Sequence, residues 1–102
     1  MNRLEFSLAK LAEEAAEVAH AALKANMFGM QNFNPMTGIT NQEKLKTEII
    51  DFYAAINLLY QIDKFLLNDE EGVNQRIVDK ILAMKAQYDS LEEVRPLAAD
   101  QE

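Results

Sequence analysis

At 102 residues, 49% hydrophobic and 26% charged, the chain has the size and make-up of one globular domain and no room for a second core. A formal net charge of −7 argues against a surface that tracks the phosphates of DNA or RNA, and no apolar run approaches the length of a membrane span. The absence of cysteine excludes disulfides and thiolate metal sites, and the opening Met1-Asn2-Arg3-Leu4-Glu5 lacks the pattern of a secretory leader, so cytoplasm is the default expectation.

Asn2, with Glu5 three residues on, makes a capping pair that predicts a first helix over about 2–26, through an alanine-rich stretch. Counting about 100° per residue, Leu4, Leu8, Leu11, Ala15, Val18, Ala19 and Ala22 share one arc. Glu13, Glu14 and Glu17 lie outside it, Glu14 nearest its edge. The connection 28–40 carries the turn formers Gly29, Asn32, Asn34, Pro35 and Gly38. It also carries Phe28, Met30, Phe33 and Met36, which need the bundle, a partner or a ligand to cover them.

Thr40-Asn41-Gln42-Glu43 is a second capping box, opening a helix over about 41–67. Its apolar stripe is Leu45, Ile49, Phe52, Ala55, Ile56 and Leu59, with Glu48 inside the stripe and Asp51 at its edge. Asn68 to Gly72 reads as a turn, and a third helix is predicted over about 73–93, stopped before Pro96. Its stripe of Val73, Ile77, Ile81, Met84, Tyr88 and Leu91 includes Lys80. Residues 1–96 thus form a single all-α domain, and 97–102 a C-terminal tail. Three helices with faces this broad point to a helical bundle completed by oligomerisation.

An ionised carboxylate on an apolar face is costly unless a cation meets it, which makes Glu48 the informative residue. Side chains three or four residues apart on a helix project side by side. Glu14 and Glu17, flanked by Glu13, can therefore aim at one point, and Glu48 and Asp51 can do so from the second helix. Packed antiparallel, these carboxylates must bind metal or hold protons. An all-oxygen set favours Mg²⁺ or Mn²⁺, which act on phosphoryl groups and leave positions for substrate; Lys80 is then a candidate phosphate contact.

The stretches Lys10-Leu11-Ala12-Glu13-Glu14-Ala15-Ala16-Glu17-Val18 and Lys46-Thr47-Glu48-Ile49-Ile50-Asp51-Phe52 resemble the motifs of MazG-like all-α nucleoside triphosphate pyrophosphohydrolases, over roughly residues 5–90. Ile49-Ile50 stands where the family usually has Leu-Gly. The resemblance implies hydrolysis of a (deoxy)nucleoside triphosphate to monophosphate and pyrophosphate, as a homodimer or dimer of dimers guarding the nucleotide pool. It implies Glu14, Glu17, Glu48 and Asp51 as Mg²⁺ ligands, with Glu14 orienting or deprotonating water and Glu13 in reserve. Lys80 and Lys85 would take the phosphate contacts that the family's third helix offers.

Plainer readings stand beside these. Lys10 is either a substrate contact or a partner for Glu13 or Glu14, and Phe28 either stacks on a base or anchors the loop. His20 is read as a surface or rim residue, since one histidine does not make a di-iron site. The alternatives to a nucleotide pyrophosphohydrolase are a non-catalytic helical adaptor and a hydrolase of a phosphoribosyl or other diphosphate substrate.

Overall fold

The computed structural model describes residues 1–63 and 70–91, which form three helices and no strand: α1 (Arg3–Phe28), α2 (Asn41–Ile62) and α3 (Glu70–Asp89). The chain is all-α. Both expected capping boxes form. Asn2 Oδ1 accepts from the Glu5 N–H at 2.8 Å while Glu5 Oε1 accepts from the Asn2 N–H at 3.1 Å. At the start of α2, Thr40 Oγ1 accepts from the Glu43 N–H at 3.1 Å and Glu43 returns a carboxylate oxygen to Thr40.

The helix ends differ from the sequence reading. α1 runs on through Phe28 because the residue that stops it is Gly29, whose φ of 94° suits a residue without a side chain. α2 leaves helical geometry at Asp63, in keeping with the poor helix propensity of aspartate, and 64–67, the expected end of the helix, lie outside the described residues. α3 begins by Glu70, and residues 70–72, expected in a turn, are helical. The helix closes at Asp89 instead of 93, with Ser90 and Leu91 in turn-type hydrogen bonds. The tail 97–102 lies outside the described residues.

α1 and α2 pack on each other as an antiparallel hairpin. Their contact follows a seven-residue spacing. On α1 it takes in Ser7, Leu11, Glu14, Val18, Ala21 and Ala25; on α2, Asn41, Leu45, Glu48, Phe52, Ala55 and Leu59, every one of them buried or half-buried. Ser7, Ala21, Ala25 and Ala55, the small residues of the seam, are all buried. α1 does not meet α2 with the centre of its apolar arc. It is turned toward its acidic side, which draws Glu14 into the seam and leaves Leu8, Leu11, Ala12 and Ala15 lining an apolar groove with Phe52, Ile56, Leu59 and Tyr60.

The connection 29–40 is a tight hydrogen-bonded structure. Phe33 and Thr40 pair across it as an isolated bridge, and Gly38, with a φ of 75°, closes the turn through its N–H to Asn34 O at 2.7 Å. Buried Asn41 ties α2 to the end of α1 by donating Nδ2 to Gly29 O at 2.8 Å. The apolar side chains at this end, Phe28, Phe33 and Met36, stay exposed within the chain. The same holds along α3, where Ile77, Val78, Ile81, Leu82, Met84 and Tyr88 are each about half exposed. No helix among the described residues is long and apolar enough to cross a membrane.

Candidate metal centre

The seven-residue seam places Glu14 of α1 and Glu48 of α2 where apolar side chains usually meet, and Glu17 projects from α1 one turn further on. One carboxylate oxygen from each of Glu14, Glu17 and Glu48 lies within 4.8 Å of the other two. Glu48 is only 4% exposed. Its Oε1 accepts from Lys44 Nζ at 2.8 Å, an i,i+4 pair along α2. Its Oε2 is buried without a partner, and so is Oε2 of Glu14.

Electrostatics follow from that crowding. The Lys44 ammonium in contact with Glu48 holds its carboxyl below the ordinary range, with Glu17 the next contributor. Glu17 moves the opposite way, above its ordinary value of 4.5, first through its contact with Glu48 and then through the charge of Glu14. Lys44 is raised by the same pairing with Glu48. As fully ionised groups the buried oxygens of Glu14 and Glu48 have no donor to face. Without a further cation, this crowding favours the protonated form of Glu17.

A divalent cation removes the same conflict. Two orphaned buried oxygens, a third carboxylate beside them and an all-oxygen donor set fit a hard ion such as Mg²⁺ or Mn²⁺. The carboxylates sit midway along one edge of the hairpin, between two cavities. Toward the N-terminus of α1, Phe6, Lys10, Glu14, Asp51, Ala55 and Leu58 border a space of about 310 Å³. Toward the loop, Glu17, His20, Ala21, Lys24, Lys44 and Glu48 border one of about 360 Å³.

Of the residues singled out in the sequence, Glu14, Glu17 and Glu48 are brought together and the others are not. Asp51 stands outside the close group, exposed, on the cavity that Glu14 also borders. Glu13 turns to solvent, where Lys10 Nζ meets its Oε2 at 3.3 Å while also lying 5.7 Å over the Phe6 ring. Lys80 borders a shallow surface on α3 with Arg76, Ile77, Ile81 and Met84, and Lys85 is exposed on the same helix. Phe28 ends α1, 58% exposed. His20 is exposed at the rim of the loop-side cavity.

Lys44 and Lys24 escaped the sequence reading. The signal for Lys44 was present: a lysine four residues before a buried glutamate falls on the same helix face. Comparison of the chain with protein families, curated proteins and solved structures returned no match.

Proposed function

We propose that this chain is a Mg²⁺-dependent pyrophosphohydrolase that splits (deoxy)nucleoside triphosphates into monophosphate and pyrophosphate, acting in the cytoplasm on the nucleotide pool. The observation that carries the reading is the pair of orphaned buried oxygens on Glu14 and Glu48 beside Glu17, at the positions where the two motifs resemble MazG-like enzymes. Glu14, Glu17 and Glu48 would hold the ion, with Asp51, from the edge of the neighbouring cavity, as the fourth ligand. A bound Mg²⁺ or Mn²⁺ supplies charge neutralisation of the phosphates and a more acidic water.

The chain's own groups do the rest. Glu14, half-buried with one oxygen free of protein partners, is suited to orient the attacking water and take its proton. Glu13, held by Lys10 on the exposed face, is the reserve. Close packing of the seam fixes the separation between the α1 and α2 carboxylates before substrate arrives.

The functional unit is proposed to be a homodimer or a dimer of dimers. Support comes from the apolar groove between Leu8, Leu11, Phe52 and Leu59 and from the half-exposed apolar side of α3. Covering such surface stabilises by about 25 cal/mol per Å². In that assembly Lys80 and Lys85 would bring cationic side chains to phosphates and Phe28 an aromatic ring to the base.

A panel of nucleoside triphosphates incubated with Mg²⁺ and scored for pyrophosphate tests the reading. Metal-dependent pyrophosphate release is expected. Release of single phosphate, or no turnover together with no metal binding, overturns it, and the second result favours the adaptor alternative.

A further inference from the structure

The loop-side cavity combines groups that a metal site alone does not require. Its floor is Ala21, and its carboxylate end is Glu17 and Glu48. Lys24 borders it from the next turns of α1 toward the loop, with His20 between, while Lys44 of α2 reaches back to Glu48 with its ammonium. Along α1, Lys24 lies about 10 Å beyond Glu17 at 1.5 Å per residue, and along α2 Lys44 lies about 6 Å from Glu48, in both cases toward the loop. A space of about 360 Å³ therefore has the carboxylates and the Lys44 ammonium together at one end and Lys24 toward the loop.

We propose that Lys24 and Lys44 form an anion subsite that holds the phosphate end of the substrate, the part that leaves as pyrophosphate. The proposal rests on the reading of Glu14, Glu17 and Glu48 as a metal centre. It adds a direction: the phosphate chain extends from the carboxylates toward the loop. Lys10 is not equivalent, because Glu13 and the Phe6 ring already engage it on the opposite flank of the cluster.

Lys44 has a second task. Without metal it is the cation that compensates Glu48, at 2.8 Å. A divalent ion on Glu48 takes over that role and frees an ammonium on a long stem, 61% exposed, to turn to an anion in the same cavity. Metal and phosphate binding are thus coupled through one lysine. Glu48 keeps a cation in either state.

Titration calorimetry with inorganic pyrophosphate, on the full chain with and without Mg²⁺, tests this. Mg²⁺ binding itself, measured first, reports on the metal centre. Wild type should bind pyrophosphate much more tightly with Mg²⁺ than without. Lys24→Ala and Lys44→Ala should each weaken the Mg²⁺-dependent binding by about tenfold, the size of one charge-assisted contact, while Lys44→Arg largely retains it. Lys10→Ala should leave it unchanged. Without metal, Glu48→Gln should strengthen pyrophosphate binding by freeing Lys44, and adding Lys44→Ala to that variant should remove the gain.

Failure of Mg²⁺ to bind overturns the metal reading together with the subsite. Normal Mg²⁺ binding with unchanged pyrophosphate affinity in Lys24→Ala and Lys44→Ala overturns the subsite alone. Equal weakening by Lys10→Ala does the same, since it would mean only general attraction to positive charge. Circular dichroism of the lysine variants should match wild type, so lost binding reads as a lost contact.

Discussion

Lys44 Nζ sits 2.8 Å from Glu48 Oε1, while Oε2 of the same carboxylate is buried without a partner. One lysine is in contact with a cluster of three carboxylates. Glu17 answers the shortfall by favouring its protonated form and Glu48 by favouring its ionised one, so neutralising these two glutamates has opposite consequences for the fold.

Glu17→Gln removes a group whose ionisation the neighbouring carboxylates oppose, and it should raise the melting temperature near neutral pH. Glu48→Gln discards a carboxylate whose charge Lys44 favours, so it should lower it. Both should cut triphosphate hydrolysis by roughly a hundredfold or more, the scale of losing a group that stabilises transition-state charge. Thermal melts of the two variants at neutral pH check the pair. Equal shifts in the same direction would refute the electrostatic account.

The pH dependence follows from the same two residues. A raised Glu17 contributes stability that is fully present below 4.5 and is lost as pH rises through its higher native value. A depressed Glu48 contributes stability present above 4.5 and lost as pH falls through its lower native value. Metal-free wild type should therefore weaken on the alkaline side of 4.5, in a window that Glu17→Gln flattens. Denaturant unfolding across pH, with the variant alongside, measures that difference.

Divalent cations should stabilise the chain by mass action, by about 2.7 kcal/mol when the free ion reaches 100 times its Kd. Because Mg²⁺ competes with the proton on Glu17, the stabilisation should grow as pH rises through the window in which Glu17 loses that proton. Glu17→Gln should blunt the response. Melting curves at several Mg²⁺ concentrations and two pH values check it, and a Mg²⁺ response equal in wild type and variant would remove Glu17 from the ligand set.

Much of the hairpin was legible in the sequence because its signals are local. Asn2 with Glu5 and Thr40 with Glu43 announce both helix starts, and the place of Glu48 inside an apolar stripe announces its burial. The angle at which the helices meet was not legible. Residue phasing described an apolar arc through Leu4 and Leu8, yet both are more than two-fifths exposed, and Ser7, Ala21 and Ala25 are buried instead. A helical wheel ranks faces by hydrophobicity, whereas close packing favours the face whose small residues admit the neighbouring backbone. That rotation brings Glu14 into the seam and keeps Glu13 out of it. Asp51 was placed by spacing at the stripe's edge and stays at the edge in the fold, bordering a cavity. Lys44 was overlooked because a lysine beside a glutamate on a helix is common, and only burial of the glutamate makes the pair matter.

Small residues in the seam therefore bear on the chemistry as well as on the packing, and Ala21 is the place to test this. It is 6% exposed and floors the cavity that Glu17 and Glu48 also border. Ala21→Leu adds volume at a buried position in the seam, and overpacking of this kind costs about 1–3 kcal/mol. The helices must separate to admit the side chain, which widens the gap between the α1 and α2 carboxylates without changing any of them. Mg²⁺ affinity should fall, and the melting temperature with it, while helical content by circular dichroism is kept. Ala16→Leu, on an exposed position of the same helix, should change neither. If Ala21→Leu bound Mg²⁺ as tightly as wild type, the seam would not be what sets the distance between Glu14 and Glu48.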